Sequence, residues 1–304
     1  MEAGPSTRPL LALLIRLGAI AALASMSALV KLAGERGIHL FEIMFWRQFA
    51  SIPILLGWMA ITANYALLKT ARPGRHLARG FYGTVGMALN FGGVLLLPLA
   101  EATVMNFTAP IWAVVLAMLL LGEKIGRWRW AAVVLGFAGI LVIAQPGSGA
   151  IPLFGALVAL GGAFMIALIS IQIADLNRTD RPVTIVFWFA CFTTPLMALA
   201  LPFTATPHNG EEWALLLGIG LTGVAGQLLL TAALRFGPVA SVIVMDYSAL
   251  FWATLYGWLL FATLPPASTW LGAPLIVAAG LVIAWREHRL GRAARRDVAR
   301  VEGT

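Results

Sequence analysis

The sequence predicts an all-α polytopic membrane protein: ten transmembrane helices arranged as two inverted five-helix repeats. Three observations lead there: an apolar composition, an internal duplication and the placement of Lys and Arg. Of 304 residues, 60% are hydrophobic and only 11% are charged, and the mean hydropathy is +0.89. Soluble domains carry about 25% charged residues, so this chain has too few to face water all round. Shifting the sequence by 140 positions lays residues 100–144 on 240–284 without a gap. Val104, Met105 and Trp112 then meet Val244, Met245 and Trp252, and Asn106-Phe107-Thr108 meets Asp246-Tyr247-Ser248. The same shift carries Gly80, Gly83 and Gly86 onto Gly220, Gly223 and Gly226. A shift of 142 puts Phe45-Trp46 and Pro53 on Phe187-Trp188 and Pro195. Shared Trp, Met and spaced Gly in one register mark a duplicated unit.

Apolar runs long enough to span fall at 10–30, 41–61, 77–98, 102–121, 130–144, 152–174, 183–201, 213–234, 239–260 and 270–285. A spanning helix needs about 20 apolar residues, fewer where the bilayer thins. The runs are too long and continuous for the alternating strands of a barrel. The first run is read as a retained helix rather than a cleaved signal peptide, because it is long and Arg16 interrupts it. The second carries Arg47 and the third the Gly80, Gly83, Gly86 series. In the fourth, Pro110 follows Asn106 by four residues, which predicts a kink there. The fifth closes the first repeat, residues 1–145. A short Gly- and Pro-containing loop, 146–151, joins it to the second repeat, 152–287. In the ninth run Leu250 stands where the fourth has Pro110, which predicts mechanically unequal halves. After the tenth comes a basic tail, 288–304, suited to extending the last helix or lying on anionic lipid.

With the N-terminus inside, Arg8 and Arg16, Lys69, Arg72, Arg75 and Arg79, Lys124, Arg127 and Arg129, Arg178 and Arg181, Arg235 and the tail all fall on the cytoplasmic side. Only Lys31 and Arg36 fall outside. This bias places both termini in the cytoplasm of a bacterial-type inner membrane. An odd number of crossings per repeat forces the second copy to enter from the opposite face. Inverted repeats of this kind place a solute site near the midplane between the halves. The net charge of +8 is explained by topology, so no nucleic-acid partner is expected; the expected partners are a small-molecule solute and membrane lipid.

No metal cluster, nucleophile–base pair or cofactor motif stands out, so no metal, cofactor or catalytic residue is expected. The four His, at 39, 76, 208 and 288, fall at helix ends or loops, and Cys191 alone is read as packing. Asp246 is the most informative residue, since a carboxylate inside an apolar run is costly and by default functional. Its counterpart Asn106 is read first as an interhelix hydrogen-bonding group. Arg47 needs a partner or water, with Glu42 and Asp246 as candidates. Gly83 and Gly223 are read as close-packing points that also offer a rocking surface. Tyr82, Asn90, Gln227 and Tyr247 add polar groups, and Trp112 and Trp252 occupy matching deep positions. An aromatic cavity with an acid and amides suits an amphipathic small molecule bearing a positive group. An embedded enzyme and a non-transporting scaffold are the readings of another class.

The stretch Phe-Glu-Ile-Met-Phe-Trp-Arg-Gln at 41–48, Leu-Gly-Glu-Lys at 121–124, Trp-Arg-Trp at 128–130 and Gly-Phe-Ala-Gly-Ile-Leu-Val at 136–142 resemble the drug/metabolite transporter superfamily, within it the EamA-type members. The resemblance implies ten helices in two inverted repeats, with a cavity bounded mainly by the third, fourth, eighth and ninth. By position that cavity involves Tyr82, Asn90, Asn106, Trp112, Gln227, Asp246 and Tyr247. It implies a carrier of small organic metabolites, with amino-acid export expected first and S-adenosylmethionine or a related nucleoside or vitamin second. The second repeat departs from the family pattern at Phe261-Ala262-Thr263, where Leu-Gly-Glu is usual.

Overall fold

The computed structural model describes residues 9–121, 126–145, 151–236 and 244–302. All secondary structure among these residues is helical. The chain forms α1 (Pro9–Glu35), α2 (Leu40–Ile61), α3 (Pro73–Leu96), α4 (Leu99–Asn106), α5 (Ala109–Leu121) and α6 (Arg127–Ala144). It continues as α7 (Leu153–Leu176), α8 (Pro182–Ala198), the one-turn α9 (Leu201–Thr204), α10 (Gly210–Phe236), α11 (Ser248–Phe261) and α12 (Ala267–Glu302). Lipid offers no partner for free peptide groups, so apolar runs close their hydrogen bonds internally as helices. Six described helices or helix pairs are long and apolar enough to cross a membrane, and two shorter apolar helices accompany them. Large apolar side chains such as Phe81, Leu141, Phe154, Phe203, Leu217 and Leu271 stand exposed on the outside, as lipid-facing residues do.

Local chemistry fixes the ends. Pro73 and Pro182 open α3 and α8, where the missing N–H costs nothing. Ahead of α10, Asn209 and Glu212 exchange backbone-to-side-chain hydrogen bonds of 2.9 Å each, a capping box. Pro53 and Pro195, matched in the duplication, both lie inside their helices, α2 and α8. The last helix runs on through the basic segment to Glu302. Of the joining loop only Ile151 lies among the described residues, and Gly122-Glu123-Lys124 lies outside them.

Pro110 does not kink a continuous fourth helix. The span breaks at Phe107–Thr108, and Pro110 becomes the second residue of α5. Tight i→i+3 hydrogen bonds, Phe107 N to Val104 O and Thr108 N to Met105 O, both 3.1 Å, make the break. At the matching place in the second half Val244–Tyr247 is a 3-10 turn that runs directly into α11 at Ser248, and residues 237–243 lie outside the described ones. Pro110 has no N–H to give the Asn106 carbonyl, and the break falls in the turn just before it. Its counterpart Leu250 lies in the first turn of α11.

Packing pairs helices across the two sequence halves. In α1 against α10, Leu23 meets Gly226, Met26 meets Gly223 and Leu29 meets Gly218, so the two run antiparallel. In α3 against α7, Gly86 meets Met165, Gly93 meets Ala159 and Leu97 meets Gly155, again antiparallel. The pair α6 and α12 approaches closest. A Cβ on Gly139 would lie 2.8 Å from the Gly272 carbonyl oxygen, and one on Gly272 would lie 2.7 Å from the Gly139 carbonyl oxygen. Only glycine permits that backbone approach. The large core cluster draws residues from both halves, among them Met26, Met87, Met105, Ile219, Ala253 and Ile276.

Candidate functional site

The break between α4 and α5 meets the 3-10 turn ahead of α11. Phe107 and Tyr247, duplicated positions, pack edge to face at 5.1 Å between ring centroids. The Tyr247 hydroxyl rests against Gly280, where a side chain would collide with it. Beside them Trp112 is held edge-on between Phe137 at 5.5 Å and Phe164 at 5.6 Å. Trp252 stacks on Tyr256 at 6.1 Å, and the Tyr256 hydroxyl lies 2.7 Å from Ser25 Oγ. Among the described residues, buried Asn106 Oδ1, Trp112 Nε1, Ser248 Oγ and Thr254 Oγ1 have no hydrogen-bond partner. Buried polar atoms are normally satisfied, so this aromatic locus has unused hydrogen-bonding capacity.

Asp246 sits in that 3-10 turn and is gripped by Arg16. Arg16 Nε donates to Oδ1 and Nη2 to Oδ2, both at 2.6 Å. The Arg16 side chain is 8% exposed and Asp246 34%. This corrects two expectations. The Arg16 side chain is buried in the bundle rather than a free flanking charge, and the partner of Asp246 is Arg16 rather than Arg47. Arg47 on α2 donates instead to the neighbouring Gln48 and, at 3.6 Å, to Met87 Sδ on α3. Glu42, the other candidate, lies 2.6 Å from His208. Arg79, also counted with the cytoplasmic charges, is 5% exposed inside the bundle, with its guanidinium 4.2 Å from the centre of the Phe189 ring.

The glycine series makes room for side chains from the other half. Gly83 faces Phe189 at 2.5 Å from its would-be Cβ, and Gly223 faces Arg47 at 3.4 Å. Phe189 and Arg47 are themselves matched by the 142-residue shift. Not every expected residue joins the centre. Tyr82 is 37% exposed and packs on Phe81. Asn90 lends its backbone to the α3–α7 contact, where Gly162 lies against it. Gln227 is half-buried on α10.

Sequence reasoning passes over Glu101, 1% exposed, which accepts a 3.0 Å hydrogen bond from Thr269. Lys31 donates to the carbonyls of Val94 and Leu97 at 3.3 and 2.9 Å. It borders a cleft of about 630 Å³ with Leu97, Pro98, Phe261 and Thr263, at the ends of α1, α3 and α11. A second cleft, about 290 Å³, opens at the start of α3 and the end of α7, beside Arg75, Gln172 and Asp175. Among the described residues no three His, Cys, Asp or Glu side chains converge on a metal position.

Comparison with known proteins decides the family. The model of the EamA-like transporter family matches residues 10–145 and 153–285. The chain belongs to that family. This EamA-like chain is 30% identical to the riboflavin transporter of Vibrio cholerae, over 82% of this chain and 84% of that one. It is 32% identical to the pseudopaline exporter of Pseudomonas aeruginosa, covering 85% and 90%. It is 29% identical to the S-adenosylmethionine uptake transporter of Rickettsia felis, covering 85% and 87%. One solved crystal structure matches with a TM-score of 0.63 and 21% identity, over 92% of this chain and 98% of its own, a likeness of fold. The EamA-like protein is thus a membrane transporter of the drug/metabolite transporter group.

Proposed function

We propose that this transporter is an inner-membrane secondary carrier working by alternating access. Its ten crossings form two repeats, 1–145 and 152–287, joined by 146–151 and followed by the cytoplasmic tail 288–304, with the second repeat inverted. Helix directions support the inversion. Taking α1 as upward, α10 is downward, and α2 runs with α10, as Glu42 lies at His208 and Ala50 at Gly220. The start of α2 meets the segment after α8, and its end packs on Phe187 near the start of α8, so α8 is upward. Gly80 with Phe192 and His76 with Trp188 set α3 along α8, and α7 opposes α3. The first helices of the two halves then point opposite ways. The separate family match to each half supports the same division.

For cargo, we propose a heterocyclic metabolite, of the vitamin or nucleoside kind, entering the cell. The observation that carries this is the edge-to-face aromatic set of Phe107, Tyr247, Trp112, Phe137 and Phe164 around the break and the 3-10 turn, which suits a planar ring. Two of the named relatives, for riboflavin and S-adenosylmethionine, point the same way. Amino-acid export is the second reading, favoured by a fixed carboxylate, Asp246, in a bundle that also holds Arg47. Flux of labelled riboflavin, S-adenosylmethionine and amino acids into proteoliposomes separates the two. Riboflavin or S-adenosylmethionine flux above empty vesicles is expected; flux of amino acids alone sinks the heterocycle reading. For topology, Gly37→Cys should label from outside and Asn177→Cys from inside, in a Cys191→Ser background. Labelling of both from one side removes the inversion.

A further inference from the structure

We propose that Arg47 and Arg79 together form a docking site for an acidic group of the transported solute, a carboxylate or a phosphate. That the ligand is transported rests on the carrier reading; the site itself does not. Two arginines from α2 and α3 are turned toward one stretch of α3. Arg47 Nη1 reaches Met87 Sδ, and the Arg79 guanidinium lies beside Gly83, which a side chain at that position would strike. Positions 83 and 87 are one helical turn apart, about 6 Å along the axis at 1.5 Å per residue.

Neither charge is answered among the described residues. Arg79 Nε and Nη1 are buried without a hydrogen-bond partner, and the guanidinium lies against the face of Phe189. Arg47 donates to a neutral amide and a thioether, neither of which balances a full charge. The carboxylates nearby are engaged elsewhere: Asp246 with Arg16, Glu42 with His208, Asp180 with His76, Asp175 with Arg72. Arg79 is buried and Arg47 half-buried, and a buried arginine is ordinarily paired because an uncompensated one is costly. Two like charges turned toward one stretch of α3 add their repulsion. A bundle that keeps them is poised to bind an anion, and guanidinium is the group best shaped for carboxylate and phosphate.

The surroundings favour a solute over a lipid headgroup. Arg47 is flanked by Met26 of α1 and Gly223 of α10, and Arg79 is covered by Phe189 of α8. Both therefore lie inside the bundle, between helices of the two halves. Gly223 and Gly83 provide the space, since any side chain there would meet Arg47 or Arg79.

The test is thermal unfolding of the full chain in an uncharged detergent, with sodium phosphate or acetate against sodium chloride at equal ionic strength. Phosphate or acetate at ten times its Kd should raise the unfolding temperature by roughly 3–6 °C. Arg47→Gln and Arg79→Met should abolish that rise, and Arg79→Lys should keep part of it. In chloride, Arg79→Met should unfold above the wild type, because it removes an unpaired buried charge and leaves an apolar chain on Phe189. Equal stabilisation by chloride, a phosphate response that survives in the double variant, or Arg79→Met less stable than wild type in chloride would each overturn the site. A response to added phosphatidylglycerol but not to phosphate or acetate would also overturn it. Absent proteoliposome flux with the anion response intact would sink the carrier reading and leave the site standing.

Discussion

Replacing Asp246 by Asn leaves the Arg16 guanidinium 8% exposed and facing an amide that accepts one hydrogen bond where the carboxylate accepts two. Breaking a buried ion pair costs about 3–5 kcal/mol. Asp246 is one-third exposed, so water takes up part of the loss and roughly 2–3 kcal/mol is the working figure. At about 2–4 °C per kcal/mol, the unfolding temperature should fall by about 4–12 °C. The assay is intrinsic tryptophan fluorescence on heating in detergent. Arg16→Met alone should cost a similar amount, as it strands the carboxylate. The double variant Arg16→Met/Asp246→Leu should cost much less than the two together, with a coupling of about 2 kcal/mol. Additive losses would refute the claim that the two bonds at 2.6 Å hold the 3-10 turn against α1. Flux by Asp246→Asn vesicles across a pH range separates this positioning role from proton carriage: unchanged pH dependence excludes the latter.

Three further outcomes follow from local geometry. Gly139→Ala should destabilise by about 1–3 kcal/mol, since its Cβ would meet Ile276 at 2.7 Å and the Gly272 carbonyl at 2.8 Å, while Gly57→Ala, with nothing within 4 Å, should not; equal melting temperatures for the two variants would contradict this. Ala262 closes α11 in the left-handed region at φ 51°, so Ala262→Gly should stabilise by about 1 kcal/mol, read as a higher midpoint on heating. The hydrogen bond from Arg72 holds the Asp175 carboxyl below its usual range. A carboxyl lowered in the folded state contributes stability above its unfolded pKa and loses it as pH falls through the folded one. Arg72→Gln should therefore flatten the loss of stability on acidification through and below the ordinary aspartate range, in melts taken between neutral and acid pH.

Much of this architecture is legible in the repeat. The glycine series locates the close helix contacts, because a side chain missing at two matched places leaves both backbones free to be approached. The same register puts Phe107 and Tyr247 in line, and the two rings touch. Charge carried by one half alone is harder to read. Arg16 matches Val158 in the 142-residue register and Arg79 matches Ile219 in the 140-residue one, and both lie near run ends, where a basic residue reads as a topology signal. Asp246 against Asn106 stands out in the sequence, but its partner does not, since nothing in the spacing tells α1 from α2. Pro110 is legible in part: its chemistry predicts a kink, and the span breaks outright in the turn before it.

The glycine contact of α6 and α12 has a mechanical consequence. With carbonyl set against Cα at Gly139 and Gly272, these helices cannot slide past one another without collision. Under the proposed alternating access they would act as the fulcrum, with the longer helix pairs as lever arms on either side. Spin labels across α6 and α12 should hold a constant separation while labels at the mouths of the two clefts move in opposite senses.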